Sequence, residues 1–319
     1  MNGQEALADR IADALRARPE LVVLGEDVAD GGLFGLTRVA AQAPDLADRL
    51  ASTPLVPGSL LAHAAGLALG GRHPLVLMPS AASLLDGFGD LLAVTDPGPW
   101  AAMAGPPRLS VVVPTGSGLG LAEDVGRPVE ALLAALPGLA LLSVGTACGL
   151  LAAFDALVGT PGPAALLVPR TLLLASLPDD RASLDPSGLR THQTGARATV
   201  FAVGAAVGAA LDAAAGLDVT VAEPWRLRPF PTEAIARAAR TGHVVVAAPG
   251  PESFTAERIA ATVARDAVYH LDAPVEIVRG DPPPLGPAAE HLAVPSVASI
   301  RAALAAVGVP VPSNEKGTA

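Results

Sequence analysis

The chain has 319 residues, of which 51% are hydrophobic, 16% charged and 3% aromatic, and its formal net charge is −10. That length allows two domains with sizeable cores of Ala, Leu and Val, and an acidic chain without a Lys/Arg-rich run argues against a nucleic-acid-binding surface. A single cysteine, Cys148, excludes an internal disulfide and fits a reducing cytoplasm; its apolar neighbours predict a buried, inert thiol.

Residues 3–17 place apolar and charged side chains at helical spacing. This predicts an amphipathic helix rather than the positive flank and apolar stretch of a signal peptide. Short apolar runs then read as buried strands at 20–25 (ELVVLG), 74–78 (PLVLM), 109–113 (LSVVV), 139–143 (LALLS) and 164–168 (AALLV). Helical patterns lie among them at 60–70, 128–136 and 146–157. Strands apolar on both faces and alternating with helices predict a doubly wound, mainly parallel sheet. Residues 131–154 are uncharged and long enough to span a bilayer, but Pro137-Gly138 cuts the stretch. It reads as helix, strand and helix buried in an α/β core, with no membrane span.

The polar stretch 175–197, with its Pro and Gly, reads as a linker. A second, smaller α/β unit follows, with strands at 198–204, 218–224, 243–249 and 274–278. Its helices fall near 206–215, 232–240, 254–268 and 297–307. The expected organisation is therefore a first domain over 1–174, a linker over 175–197, a second domain over 198–311 and a disordered tail over 312–319.

Few residues suggest chemistry. GSGLG (116–120) follows a strand but lacks the full dinucleotide fingerprint, so it reads as a glycine turn. Glu26 and Asp27 close the first strand at the sheet edge where ligands bind, as a polar cap or as a ligand contact. The six histidines (63, 73, 192, 243, 270 and 291) show no metal-ligand spacing. His63, Ser59 and Asp86 are polar residues near the mouth formed by the Thr53-Pro54 turn, without a compelling Ser-His-Asp order.

From VVLGEDVADGGLFGLTR (22–38) onward the chain resembles a known family. This is the beta subunit of the thiamine-diphosphate-dependent decarboxylating component of 2-oxo acid dehydrogenase complexes, of pyruvate and branched-chain type. Two-component transketolases share its architecture. The resemblance rests on Leu24 to Val28, Gly31-Gly32 and Phe34, then Thr53-Pro54, Gly66 and LGGRHP (69–74). It continues through LPGLALLS (136–143), VPR (168–170), FAVGAAVGAALDAA, GHVVVAAP with FTAERIA, and YHLDAPVEIVRGDP. The order and spacing of these blocks over about 300 residues carry it. It implies two doubly wound, mainly parallel-sheet α/β domains: a transketolase-like pyrimidine-binding domain and a transketolase C-terminal-like domain.

The resemblance also implies what is missing. In the family a Glu after the Thr-Pro turn contacts the aminopyrimidine of thiamine diphosphate and drives its proton relay; the matching position here is Pro57. The family's aromatic stretch after the second strand corresponds to PSAAS (79–83), which has no aromatic ring. Its loop histidine aligns with Val125, and neither Asp124 nor a one-residue shift supplies one, although Glu130 is kept. The expectation is a catalytically degenerate beta-like subunit with no catalytic or metal-binding residue, and Glu26, Pro57, Ser80 and Ser83 lining what is left of the cofactor pocket. Thiamine diphosphate with magnesium would bind only if an alpha-like partner supplied the diphosphate site. Expected partners are that alpha-like chain, a second copy of this chain, or both, with helix contacts through Ala62, Ala65, Gly66 and Gly70. Two alternatives stay open: an active beta subunit with an atypical site, and a small-molecule-binding module on the same fold.

Overall fold

The computed structural model describes residues 1–96, 105–116, 129–177, 183–281 and 287–312. The chain opens with α1 (Gly3–Ala17), where the Asn2 side chain accepts from the Glu5 N–H and the Glu5 carboxylate accepts from the Asn2 N–H, both at 3.0 Å. A reciprocal cap of this kind stabilises a helix by about 1 kcal/mol. There follow β1 (Leu21–Gly25), α2 (Arg38–Ala41), β2 (Leu50–Ser52), α3 (Pro57–Leu69), β3 (His73–Leu77), α4 (Ala81–Asp86) and α5 (Phe88–Thr95). Next come β4 (Leu109–Thr115), α6 (Glu130–Ala134), β5 (Ala140–Ser143), α7 (Ala147–Gly159), β6 (Pro163–Pro169) and α8 (Arg170–Leu174).

The second half contains β7 (Leu189–Gln193), β8 (Ala198–Ala202), α9 (Ala206–Ala214), β9 (Val219–Pro224), β10 (Arg226–Arg228) and α10 (Thr232–Ala238). It ends with β11 (Val244–Ala248), α11 (Phe254–Asp266), β12 (Glu276–Arg279) and α12 (Val297–Ala306). Two sheets result. One has seven strands in the order β10-β5-β6-β4-β3-β1-β2, the other five in the order β12-β11-β8-β9-β7. Among the described residues all strand pairings are parallel except β10 with β5 and β7 with β9. The expected α/β class with two mainly parallel sheets is the observed one.

The period-2 alternation of each central strand explains why both sheets are covered on both faces. Leu75 and Leu77 of β3 pack with α1 and α7, while Val76 and the following Met78 pack with α3, α4 and α5. In β6, Ala164, Leu166 and Val168 face the first of these cores; Ala165 and Leu167 face the second. The second sheet repeats the scheme, with α9 and α12 on one face and α10 and α11 on the other.

Three short strands escape the sequence pattern. Residues 189–193, within the stretch read as a linker, are β7, an antiparallel edge strand on β9. β2 pairs with β1 over just three residues. β10 leaves the second half to pair with β5 of the first sheet; its own Leu227 and the preceding Trp225 insert into the first half's two cores. Helix α3 also begins earlier than its apolar pattern suggests. Pro57, Gly58 and Ser59 form its first turn, where proline's fixed φ suits the helix and its missing N–H costs nothing. No helix among the described residues is long and apolar enough to cross a membrane.

Candidate functional site at the carboxyl edge of the first sheet

Open α/β sheets bind ligands outside the carboxyl ends of their strands. Here that edge is built by the loops after β1, β2 and β3. Gly25 ends β1 so close to β3 that a Cβ would lie 2.9 Å from the Leu77 carbonyl oxygen. Asp27 then takes a left-handed conformation, with φ of 52°. The loop is held by Ser52, whose hydroxyl accepts from the Ala29 N–H at 2.9 Å, and by Thr37, whose hydroxyl donates to the Val28 carbonyl at 2.7 Å.

Beside it lies a shallow pocket of about 160 Å³, lined by Thr53, Pro54, Val56, Ser59, Leu60 and His63. Ser59 and His63 are one helical turn apart on α3 and share a face. Thr53 Oγ1 is buried with no hydrogen-bond partner among the described residues. Among those residues, His63 is the only titratable side chain in the lining, so the pocket offers no carboxylate.

None of Glu26, Pro57, Ser80 and Ser83 lines this pocket. Pro57 sits between two lining residues but turns its carbonyl toward the α4–α5 junction. A Cβ on Gly87 would lie 3.0 Å from that oxygen and 3.2 Å from Gly58 Cα. Ser80 caps α4: its hydroxyl accepts from the Ser83 N–H at 3.0 Å and meets the Ser83 hydroxyl at 2.9 Å. Both serines thus spend their polar atoms on the helix start. Glu26 is half-buried on the neighbouring loop. His63 and Ser59, picked out from the sequence near the mouth, do line the pocket. Val125 and Asp124 lie outside the described residues.

The carboxyl edge also meets the second half of the chain. Glu223 on β9 is 1% exposed, and its two oxygens accept from the Gly145 N–H at 2.5 Å and from His192 Nε2 at 2.7 Å. Gly145 approaches so closely that a Cβ would fall 2.4 Å from the Gly204 carbonyl oxygen. Arg190 on β7 donates to Thr146 Oγ1 at 3.1 Å and to Cys148 Sγ at 3.3 Å. The cysteine is therefore half-buried beside a guanidinium, not sealed among apolar neighbours as its sequence context suggested. Nothing in the local sequence pattern marks Glu223 or His192, because their pairing depends on β7.

Glu130 opens α6 and is 7% exposed; burial pushes its carboxyl above the ordinary range, opposed by a hydrogen bond from Ser253. Ser253 caps α11, so this contact too joins the two halves. At the other end of α6, Arg228 donates to the carbonyl oxygens of Ala134 at 2.9 Å and Pro137 at 2.6 Å.

Comparison with known proteins fits this arrangement. The pyruvate dehydrogenase E1 component beta subunit of Leifsonia xyli is 30% identical over 301 residues, covering 89% of this chain and 87% of that one. The chain belongs to the pyruvate dehydrogenase E1 beta-subunit family. The beta subunit from Rhizobium meliloti is 29% identical over 328 residues, covering 96% of this chain and 70% of its own length. Residues 188–300, from the start of β7 into α12, match the transketolase C-terminal domain model. Among solved structures, a split-gene transketolase in the form of an inactive beta4 tetramer superposes with a TM-score of 0.70 at 19% identity, covering 96% of this chain and 98% of that one. This E1 beta-type chain thus keeps the family's fold end to end.

Proposed function

We propose that the chain is the beta-type half of an alpha–beta, thiamine-diphosphate-dependent 2-oxo acid dehydrogenase or transketolase system, and that it contributes no proton relay of its own. The observation that carries this reading is Pro57 in the first turn of α3, where the family resemblance calls for a carboxylate. Proline has neither a carboxyl group nor an N–H. The pocket beside it is lined by two hydroxyls, an imidazole and apolar groups. These residues do not fit an aminopyrimidine that must exchange a proton with an acid. The chain's role is then to complete the assembly, as a scaffold or regulatory subunit in the cytoplasm, with cofactor binding dependent on an alpha-like partner.

The test is turnover. The purified chain, alone and with its alpha-like partner, is expected with thiamine diphosphate and magnesium to show no decarboxylation of pyruvate and no acceleration of hydrogen–deuterium exchange at the thiazolium carbon over the free cofactor. Substantial turnover in either case would overturn the proposal. Pro57→Glu alone is expected to leave activity absent, because groups that act as a unit are strongly non-additive. A glutamate in the first turn of a helix is itself favourable, so misfolding would not mask a rescue. Recovery of a family-like rate by that one change would show that the acid was the sole loss.

Assembly gives a second test. Ala62, His63, Gly66, Leu69 and Gly70 are exposed along α3, and a Cβ on Gly66 would meet nothing within 4 Å inside the chain. Gly66→Leu should leave the isolated fold intact. If this face meets a second copy or an alpha-like chain, the added side chain should weaken association by about 1–3 kcal/mol, the usual cost of overpacking. Light scattering at micromolar concentration reads the outcome, with and without the alpha-like chain. A monomer under both conditions, unchanged by the substitution, would remove the interface.

A further inference from the structure

At the amino ends of β8 and β11, away from the mouth, the second unit holds a cavity of about 230 Å³ lined by Ala196, Arg197, Thr241, His243, Gly308 and Val309. We propose that this cavity is a binding site for a small oxyanion, of phosphate or carboxylate type, held between the Arg197 guanidinium and the His243 imidazole.

Its walls are fixed by backbone bonds independent of any ligand. On the Arg197 side, Asp218 accepts from the Ala196 N–H through its carboxylate and from the Arg197 N–H through its carbonyl, both at 2.9 Å. Thr220 Oγ1 accepts from the Gly195 N–H at 2.9 Å. On the other side, the His243 carbonyl accepts from the Thr199 N–H at 2.9 Å, and Thr241 Oγ1 donates to it at 3.3 Å. The floor is the turn after α12. Gly308 has a φ of 93°, and a Cβ there would lie 3.6 Å from His243 Cε1, so the backbone runs close along the ring.

Arg197 supplies the positive charge of this frame, against the carboxylates of Asp218 and Asp272. Among the described residues, Arg197 makes no side-chain hydrogen bond or ion pair, and guanidinium groups bind carboxylates and phosphates through paired N–H donors. The carbonyls of Ala303, Leu304 and Ala305 are engaged by the N–H groups of Val307, Val309 and Gly308 respectively, which offsets part of the negative dipole that the carboxyl end of α12 presents to the cavity. The nearest carboxylate to His243 is Asp272, whose Oδ2 is 4.0 Å from Nε2; it is 72% exposed, so water screens it. The Asp218 carboxylate is already used by the Ala196 N–H. The volume suits an anion of a few heavy atoms and is too small for a nucleotide.

The experiment is a titration of the full chain with inorganic phosphate and, separately, with succinate, at an ionic strength held constant with sodium chloride. The His243 imidazole signal is followed by NMR and assigned with His243→Gln. Saturable shifts are expected, with a Kd on the order of 1 mM. The anion that saturates at lower concentration identifies the source as phosphate or carboxylate. Arg197→Gln should weaken binding about tenfold, the loss of one charge-assisted contact, without changing the melting temperature, because the exposed side chain holds nothing in the fold. Shifts that stay linear in both anions, or that are the same in Arg197→Gln, would overturn the site.

Discussion

Glu223→Ala is expected to destabilise the protein by about 3–5 kcal/mol, as measured when one partner of a buried pair is removed. Glu223 is 1% exposed and accepts from both Gly145 and His192. Truncation would strand two donors away from water, and each unmet buried donor costs about 1–3 kcal/mol. Because Gly145 follows β5 in the first half, and His192 and Glu223 belong to the second, the loss should fall on the contact between halves. Chemical denaturation should therefore show a lower midpoint and a transition split into two steps. His192→Gln can still donate one hydrogen bond and should cost less. Equal midpoints for wild type and Glu223→Ala would show that water replaces the carboxylate without penalty.

The second large effect is a loss of stability in mild acid that traces to His73. Its side chain is fully buried at the start of β3, with Nε2 2.9 Å from Ser110 Oγ, which in turn donates to the Leu157 carbonyl at 3.4 Å. Burial, aided by the Arg108 charge and opposed by Glu20, pushes the imidazole down to about 4. A folded-state value below the unfolded one means that unfolding takes up a proton in acid. The stability linked to His73 is full above about pH 6.5 and is lost as the pH falls from there toward 4. At about 1.4 kcal/mol per pH unit, the loss approaches 3 kcal/mol at the acid end. His73→Phe should flatten this part of the profile relative to wild type. Parallel profiles for the two proteins between pH 7 and 4 would assign the acid loss to other groups.

Both effects rest on residues whose partners are remote in sequence. What could be read locally was the set of central strands and the larger helices. VVLG, PLVL, SVVV and ALLV are apolar on both faces because helices cover both sides of a parallel sheet, and such runs are visible without a partner. The edge strands carry no such mark. LRTHQ (189–193) is half polar, since an edge strand buries little, and RLR (226–228) offers one apolar residue. Their backbone pairing with β9 and β5 makes them strands.

The candidate site divides in the same way. The alternating α/β architecture, the family resemblance and the proline at position 57 were legible in the chain, because they depend on residue type and order alone. Where the side chains act depends on how the elements pack. Packing puts Pro57 into the first turn of α3, turns Ser80 and Ser83 into a helix cap, and gathers Thr53, Ser59 and His63 around the mouth. It also joins Glu223 to His192 and Gly145 and brings Arg197 beside His243. The physical reason is that a helical or strand period is encoded within a few neighbouring residues, whereas a hydrogen bond across 31 or 78 residues exists only once the sheets have formed and packed.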